Sequence, residues 1–464
     1  MQITEKEADE IIQPIQKTDL IYQIEDKPPF QESVFAALQH LLAIFVAIIT
    51  PPLIISKALG FSAETTAFLV SMSLLASGIS TFIQCKRFGP VGCGLLCVQG
   101  TSFSFIGALT ASFATRGDMT EAAILAAIFG VCIAASPVEM IVSRLLKYTK
   151  KIITPLVSGI VVTMIGLSLI KVAIISCGGG FAAMGVDPSV DAARTFGSLQ
   201  NLGLAALVLV SIIVLNSIRN KYIRMSSIII GLVIGYVVAY FMGWIDFSKM
   251  GEVGAITIPQ PFKYGLGFDL SAFIAVSLIY FITSIEAYGD ITANSMIGGE
   301  PIEGPKFMKR VQGGVLADGL NSTIAGVFNS FPTSIFAQNN GLIQLTGVAS
   351  RYVGYYIAAF LVILSAFPFV GGVFSIIPEP VLGGATLLMF GTVAASGIRI
   401  VASQNIDRKA ILVLAVSFAC GLGVELVPNI LAQTPDIINR IFSSGIATGG
   451  TVAIISNIII RIKE

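Results

Sequence analysis

Charged side chains are scarce in this chain, since Asp, Glu, Lys and Arg supply only 12% of its 464 residues. Soluble domains carry about 25% charged residues, so this composition excludes a set of ordinary soluble domains. Hydrophobic residues make up 55% of the chain, and the mean hydropathy is +0.86. These values predict an all-α polytopic membrane protein embedded in a lipid bilayer. The net charge of +1 gives no reason to expect a nucleic acid or another anionic partner.

Histidine and paired cysteines are equally scarce. His40 is the only histidine, and the six cysteines include no CxxC pair. A metal centre needs a cluster of such ligands, so we expect no metal and no other cofactor. The sequence contains neither a nucleophile elbow nor a phosphate-binding loop, which argues against an enzyme. We interpret the cysteines as small packing residues, at positions 85, 93, 97, 132, 177 and 420.

Long apolar runs recur along the chain after a charged start. Residues 1–32 lack the apolar core of a signal peptide, so we expect them to form a cytosolic tail. Eleven runs are long enough to cross a bilayer, and three more are interrupted by polar residues, glycine or proline. Together they predict fourteen transmembrane segments: 33–56, 64–85, 89–113, 120–146, 153–175, 202–218, 225–244, 269–291, 313–328, 333–348, 351–367, 373–398, 409–426 and 441–460.

The distribution of basic residues supports that count. An even number of segments places both termini on one side of the membrane. With that side taken as the cytosol, 21 of the 28 lysines and arginines fall in inner segments and 7 in outer segments. This asymmetry follows the positive-inside rule. Removing one interrupted segment would invert every later loop, so all three interrupted segments are predicted to lie in the membrane.

The chain also contains an internal repeat. Segment 155–166 resembles segment 380–391, with proline, glycine, methionine and glycine at identical spacing. These are the fifth and twelfth predicted segments, so the repeat unit is seven segments long. An odd-numbered unit must invert its second copy, which predicts two halves of opposite topology, 33–244 and 269–460. Chance similarity between two apolar helices is the alternative interpretation.

Two interrupted segments occupy corresponding positions in the two halves. The third is broken at 98–102, around Gln99 and Gly100, and the tenth at 337–341, which reads Ala-Gln-Asn-Asn-Gly. Side-chain amides are costly in hydrocarbon unless they face protein, water or a ligand. Matched breaks of this kind indicate a transporter's binding site at mid-membrane. Because amides are neutral and present both donors and acceptors, they suit a small uncharged heterocycle better than an ion.

Three aromatic residues flank these breaks: Phe103, Phe105 and Phe336. One of them could stack on the face of a planar ligand. Ordinary packing against lipid or protein is the alternative for each.

Ionisable groups also lie within the predicted segments. Glu286 is deep in the eighth segment, where a charged carboxylate costs about 2.5–3.5 kcal/mol, so it suits a proton carrier. Asp290 follows one turn later on the same helix face, and Asp318 lies in the Gly-rich ninth segment. Each could instead be a buried polar tie between helices, and Asp290 could be interfacial. His40 could be a proton site or a hydrogen-bonded tie that shapes the pocket.

Several motifs together resemble one transporter family. They lie at 20–29, 39–40, 99–103, 286–293, 313–318, 338–347 and 346–351. The run from residue 338 to residue 347 resembles the signature of the nucleobase–ascorbate transporters, also called nucleobase:cation symporter-2. The similarity extends over nearly the whole chain and is strongest to bacterial xanthine permeases within that family.

The resemblance implies an architecture and an activity. The fold would be a 7+7 inverted repeat, with a core domain (segments 1–4 and 8–11) and a gate domain (segments 5–7 and 12–14). Short strands in the third and tenth segments would meet at mid-membrane, and substrate would bind between core and gate. A homodimer would import a purine base across the inner (cytoplasmic) membrane, with a proton as the coupling ion.

The resemblance also implies roles for individual residues. Glu286 would hydrogen-bond the substrate ring and Gln338 would bind its other edge. Asn339 would tune selectivity, and His40 would help to shape the pocket. We expect further substrate contacts from the third segment, at Gln99, Gly100, Ser102 and Phe103.

Proton coupling and substrate choice depend on a few further positions. Asp318 would support coupling together with Glu286 and Asp290. Gln338 departs from the glutamate of uracil-type members, which favours xanthine or urate over uracil. Ser102 stands where some xanthine permeases carry asparagine, and this leaves the choice between xanthine and urate open.

These observations predict a proton-coupled symporter of xanthine, with urate or uracil as the alternative substrate. An anion transporter of the sulfate-permease type would share the inverted repeat, but Glu286 would repel an anion unless it is protonated. A channel is a third alternative. Carboxylates and amides that converge on one site suit occlusion better than a continuous pore.

Overall fold

The computed structural model of the chain consists almost entirely of helices. It describes residues 20–460 apart from several gaps, at 114–118, 150–153, 181–182, 185–194, 221–222, 225, 246–255, 403, 405, 436–437, 440–441 and 443. Within the described residues the helices of the first half are α1 (Phe30–Ala58), α2 (Ala63–Lys86), α3 (Phe105–Phe113), α4 (Glu121–Ala135), α5 (Pro137–Thr149), α6 (Pro155–Cys177), α7 (Leu199–Ser217) and α8 (Ser227–Phe241). Those of the second half are α9 (Leu270–Ile297), α10 (Gly304–Val327), α11 (Gln338–Thr346), α12 (Arg351–Ser365), α13 (Pro368–Ser375), α14 (Glu379–Ala402), α15 (Arg408–Leu426) and α16 (Gly445–Ile459).

The residues just before several helices explain where those helices begin. Ser62, Asp269 and Asp407 each precede a helix, and their side-chain oxygens accept a hydrogen bond from the backbone N–H three residues later. These bonds satisfy N–H groups that have no partner within the first turn. Thr154 caps α6 in the same way, and Pro155 follows at the first helical position, where a missing N–H costs nothing.

Many of these helices are long and apolar enough to cross a membrane. Eight qualify among the described residues: α1, α2, α4 with α5, α6, α7, α9, α14 and α15. The pair α12 and α13, bent by 80°, would make a ninth, and α8 and α16 are shorter apolar helices. The prediction of a helical, multi-pass membrane protein is confirmed. All fourteen predicted segments coincide with a helix or with a strand followed by a helix, although the number of crossings stays a prediction.

Two short strands meet inside the helical assembly. Strand β1 (Gln99–Thr101) pairs antiparallel with β2 (Thr333–Ile335), and Gly100 stands opposite Ser334 at the centre of the pair. This confirms the short strands predicted in the third and tenth segments. Helices α1, α2, α9 and α10 pack around the pair.

The predicted position of the second break was wrong. We expected the tenth segment to be interrupted at 337–341, but its extended stretch is 333–335, and the amide run belongs to the first turn of α11. The amides Asn339 and Asn340 find partners in neighbouring elements, so the backbone there can remain helical. Gly341 lies within α11, where it weakens the helix by about 1 kcal/mol relative to alanine without ending it.

The two segments of the sequence repeat pack against one another. Gly159 of α6 lies against Val401 of α14, and Gly166 of α6 lies against Ala394. The residue numbers rise along one helix and fall along the other, so the two helices run antiparallel. A methyl group at Gly166 would come within 2.3 Å of the Ala394 nitrogen, so this close contact requires glycine. An inverted repeat predicts antiparallel packing of such corresponding helices.

Packing divides the helices into two sets. Helices α6, α7, α8, α14, α15 and α16 contact mainly one another. Helices α1–α5 and α9–α13 form the other set, which contains the strand pair. The main helix contacts between the sets are those of α9 with α6 and α16, and of α1 with α8.

Candidate functional site

The strand pair places aromatic rings beside the starts of α3 and α11. Gly100 lies so close to Phe336 that a methyl carbon on Gly100 would come within 2.3 Å of the ring atom Cζ. Phe103 stacks on Phe336, with ring centroids 6.3 Å apart and planes inclined by 27°. Phe103 also meets Phe390 of α14 edge-on, at 5.3 Å. The stacked rings of Phe103 and Phe336 form an apolar wall, the phenylalanine wall, which contacts α14 through Phe390.

Asn339 and His40 form a buried hydrogen bond that links α11 to α1. Asn339 Oδ1 lies 2.8 Å from His40 Nδ1, and Asn339 Nδ2 donates to the Leu96 backbone oxygen at 2.6 Å. Because the Asn339 NH₂ group faces Leu96, its oxygen accepts from His40, which places the imidazole proton on Nδ1. His40 Nε2 is then an acceptor, and it has no hydrogen-bond partner among the described residues.

Asn340 connects α11 to α9. Its Nδ2 donates to the Asp290 backbone oxygen at 3.3 Å, and its Oδ1 accepts from Asn294 Nδ2 at 3.0 Å. Asn294 Nδ2 also lies 2.9 Å from the Leu96 oxygen. The Asp290 side chain is buried, and its Oδ2 has no partner within the described residues.

Glu286 and Gln338 retain open hydrogen-bonding capacity. Both are half-buried, on α9 and α11, and these two helices pack on one another. Within the part of the chain that the structure describes, Gln338 makes no side-chain hydrogen bond, and Glu286 accepts one, from Ser104 Oγ at 3.2 Å. The pair therefore offers a carboxyl oxygen together with an amide donor and acceptor.

Asp318 lies behind the strands and is fully buried. Its Oδ1 accepts from Gln84 Nε2 at 2.9 Å, and the same nitrogen lies 2.9 Å from the Gly314 oxygen. Gln84 Oε1 accepts from the Cys93 backbone N–H at 3.1 Å. Asp318 is thus tied to α2 and to the loop before β1, while its Oδ2 has no partner among the described residues.

Gln99 and Ser102 hold β1 in place. Gln99 is fully buried, and its Oε1 accepts from Asn321 Nδ2 at 2.5 Å. The Ser102 backbone N–H donates to the Pro332 oxygen at 2.8 Å. Gln99 Nε2 and Ser102 Oγ have no partner in the described residues, and each such buried atom costs about 1–3 kcal/mol. The substrate contacts predicted for Gln99 and Ser102 stay predictions.

Sequence reasoning missed the polar residues that hold these groups: Gln84, Ser104, Asn294 and Asn321. It also missed the buried pair Glu139 and Thr283, which bond to one another. A signal was present for one of them. Glu286, Asp290 and Asn294 recur every four residues and so share one helix face. The others contact partners far away in sequence, which spacing along a single helix does not reveal.

The fold and the site define a membrane transporter. Apolar helices surround a pair of short strands, and amide, carboxyl and aromatic side chains lie beside those strands. The chain belongs to the permease family described by the Xan_ur_permease profile, which matches residues 31–430. This confirms the resemblance to nucleobase:cation symporter-2, and it makes the protein a permease and not an enzyme.

Two relatives illustrate this membership, and one solved structure shares the fold. The chain is 50% identical over 458 residues to the xanthine permease XanP of Escherichia coli (strain K12), covering 98% of this chain and 97% of that protein. It is 48% identical over 445 residues to the xanthine permease XanQ of the same strain, covering 96% and 94%. The murine anion transporter Slc26a9, in its inward-facing state, is 12% identical with a TM-score of 0.63, covering 94% of this chain and 69% of that one. Likeness at that identity shows a shared fold alone.

Proposed function

We propose that this protein is a proton-coupled symporter that imports the purine base xanthine across the cytoplasmic membrane. The observation that carries the proposal is the pair Glu286 and Gln338, two half-buried groups with free hydrogen-bonding capacity near the phenylalanine wall. The 50% identity to a xanthine permease, over nearly the full length of both chains, supports the choice of substrate.

The chemistry of xanthine suits these side chains. Xanthine is flat, and its ring edge alternates N–H donors with carbonyl acceptors. In the proposed complex the carbonyl oxygen of the Glu286 carboxyl group accepts from a ring N–H, while the Gln338 amide donates to a carbonyl and accepts from another N–H. Phe103 supplies the apolar face. The surroundings are completed by His40, Gln99, Gly100, Ser102 and Asn339.

The proton supplies the driving force in this proposal. A neutral base cannot be concentrated by the membrane potential alone, so uphill uptake needs a coupled ion. Glu286 binds the proton at mid-membrane, where a neutral carboxyl group is far less costly than a carboxylate. Asp318 and Asp290, both buried nearby, assist the coupling.

The proposal includes an architecture for the transport cycle. The chain crosses the membrane fourteen times as a 7+7 inverted repeat, with both termini in the cytosol, and it acts as a homodimer. The helix set that contains the strands is the core, and the set of α6–α8 with α14–α16 is the gate. The contacts of α9 with α6 and α16, and of α1 with α8, form the interface along which the core moves.

Urate is the alternative substrate, because it is also a flat purine and because Ser102 replaces the asparagine of some xanthine permeases. An anion transporter is less consistent with the site, although Slc26a9 shares the fold. An ionised Glu286 would repel an anion.

Uptake of radiolabelled xanthine into proteoliposomes tests the proposal. We expect accumulation when an inward proton gradient is imposed, and loss of accumulation when a protonophore collapses the gradient. Competition by unlabelled urate, uracil and guanine measures the selectivity. Uptake that ignores the gradient would contradict proton coupling, and uptake blocked by urate more strongly than by xanthine would replace the proposed substrate.

A further inference from the structure

One buried carboxyl group has no part in the cycle described so far. Glu139 is 1% exposed and lies in the first turn of α5. Ser136 and Pro137 separate α4 from α5 just before it, because proline has no N–H for the helical hydrogen-bond ladder. A carboxyl group within a membrane segment is costly, and such residues typically serve ion or proton pathways.

A glycine on α10 brings this carboxyl group close to Asp318. Gly319 packs directly against the turn between α4 and α5, and a methyl group on it would come within 3.1 Å of the Ser136 oxygen. The neighbouring position on α10 is Asp318. Asp318 thus adjoins the residue that contacts the turn before Glu139, and Glu286 lies three residues after Thr283 of α9, whose hydroxyl contacts Glu139.

Thr283 of α9 is the hydrogen-bond partner of Glu139. Its Oγ1 lies 3.2 Å from Glu139 Oε1 and 3.1 Å from the Tyr280 backbone oxygen. A hydroxyl group has one proton to donate, so it cannot serve both oxygens at once. When Glu139 is ionised, Thr283 donates to the carboxylate. When Glu139 is protonated, the carboxyl O–H donates to Thr283 Oγ1, and the threonine proton turns to the Tyr280 oxygen.

The titratable groups around Glu139 are acidic or neutral. They are Asp318 from α10, and Glu286 and Tyr280 from α9. Within the described residues no lysine or arginine forms a salt bridge with Glu139. Like charges in a region of low dielectric constant repel, so a proton held by one of the three carboxyl groups lowers the repulsion among them.

We propose that Glu139 is a second proton-holding residue, which takes up the proton that Glu286 releases and returns it later in the transport cycle. The transfer breaks one O–H bond on Glu286 and forms one on Glu139, so the negative charge of the carboxyl set is unchanged. Thr283 stabilises both protonation states by reversing the direction of one hydrogen bond. The inference rests on the proton-coupled transport proposed above and gives Glu139 no contact with substrate.

Glu139→Gln tests this role, because glutamine keeps a hydrogen bond to Thr283 but cannot release a proton. In proteoliposomes we expect gradient-driven xanthine accumulation to fall by at least about tenfold, while exchange of external labelled for internal unlabelled xanthine stays within about twofold of wild type. Glu64→Gln, at an exposed carboxylate on α2, is the matched control and should leave both rates unchanged. Wild-type accumulation by Glu139→Gln would overturn the inference, and so would loss of exchange at a normal protein level.

A second pair of variants decides the matter if Glu139→Gln fails to reach the membrane. Thr283→Ser retains the reversible hydroxyl and should accumulate xanthine normally. Thr283→Val has nearly the same shape without the hydroxyl, and it should lose accumulation but keep exchange. Equal accumulation by the serine and valine variants would overturn the inference. Wild-type uptake that ignores the proton gradient would instead refute the proposed function, so the two failures are distinguishable.

Discussion

His40 Nδ1 lies 2.8 Å from Asn339 Oδ1, and this contact joins α1 to the first turn of α11. Both side chains are fully buried, and 299 positions separate them in sequence. Asn339 also donates to Leu96, so its amide is occupied on both sides. The residue that the family resemblance associates with selectivity therefore acts, in this conformation, by holding neighbouring elements in place.

Asn339→Ala should reduce stability as well as uptake. Removing the amide leaves the His40 N–H buried without a partner, at a cost of about 1–3 kcal/mol, and leaves the Leu96 oxygen with Asn294 as its remaining donor. We expect a lower unfolding temperature of the purified protein, measured by intrinsic fluorescence. Gln338→Ala, one residue earlier, is the matched control, because the Gln338 side chain makes no hydrogen bond within the described residues. An Asn339→Ala variant as stable as wild type would contradict the structural role of the hydrogen bond to His40.

Glu286→Gln should uncouple xanthine from the proton gradient. The variant cannot bind and release a proton, so accumulation should fall to the level seen with a protonophore. Ser104→Ala removes the hydrogen bond to Glu286 Oε2 at 3.2 Å. It should reduce kcat/KM by only about fivefold, the equivalent of about 1 kcal/mol. Initial uptake rates at several xanthine concentrations measure both effects, and full accumulation by Glu286→Gln would remove that residue from the coupling role.

The sequence identified the elements of the site better than its internal contacts. Composition and apolar runs predicted the helices, because exclusion from water acts on each segment separately. The strand in the third segment coincides with the predicted break at Gln99 and Gly100. In the tenth segment, the amides at 338–340 indicated a break that lies five residues earlier, at 333–335. Polar side chains within an apolar segment indicate hydrogen bonds to neighbouring elements. Where the side chains make those bonds, the backbone can remain helical.

The contacts that the sequence did not predict join residues far apart in the chain. Gln84 meets Asp318 across 234 positions, and Asn321 meets Gln99 across 222. Periodicity reports which face of one helix is buried, but not which partner covers it. The sequence did not indicate a buried Glu139 for a further reason. This residue lies near the end of an apolar run, where its position is typical of an interfacial residue. Only the three-dimensional packing against Thr283 shows that it is enclosed.

Gln338→Ala should weaken substrate binding with little change in stability. The side chain is half-buried and bonds to nothing in the described part of the chain, so its removal leaves no protein group unpaired. Loss of one or two hydrogen bonds to xanthine should raise KM by about tenfold, or about 1.4 kcal/mol. Asn340→Ala is the contrasting variant, because Asn340 holds Asn294 and the Asp290 backbone. It should lower the unfolding temperature, and a reversal of the two phenotypes would contradict the assignment of these amides.

Gly100→Ala should abolish uptake by displacing the phenylalanine wall, the stacked rings of Phe103 and Phe336. The new methyl carbon would lie 2.3 Å from Phe336 Cζ and 2.8 Å from Ile48 Cγ1, well inside van der Waals contact. Because the Phe336 ring is buried and stacked on Phe103, it cannot yield without moving its neighbour. Overpacking of this kind costs about 1–3 kcal/mol.

A smaller side chain at Phe336 provides the control for that prediction. Phe336→Leu shortens the group that the methyl carbon would strike, so the double variant Gly100→Ala with Phe336→Leu should recover part of the uptake lost in Gly100→Ala alone. The single variant Phe336→Leu should itself weaken xanthine binding modestly, because the phenylalanine wall loses one of its two rings. Uptake by the four proteins, each normalised to its amount in the membrane, gives the coupling between the two positions. Strictly additive effects would show that the methyl group acts through the Gly100 backbone or through Ile48, and not through the ring.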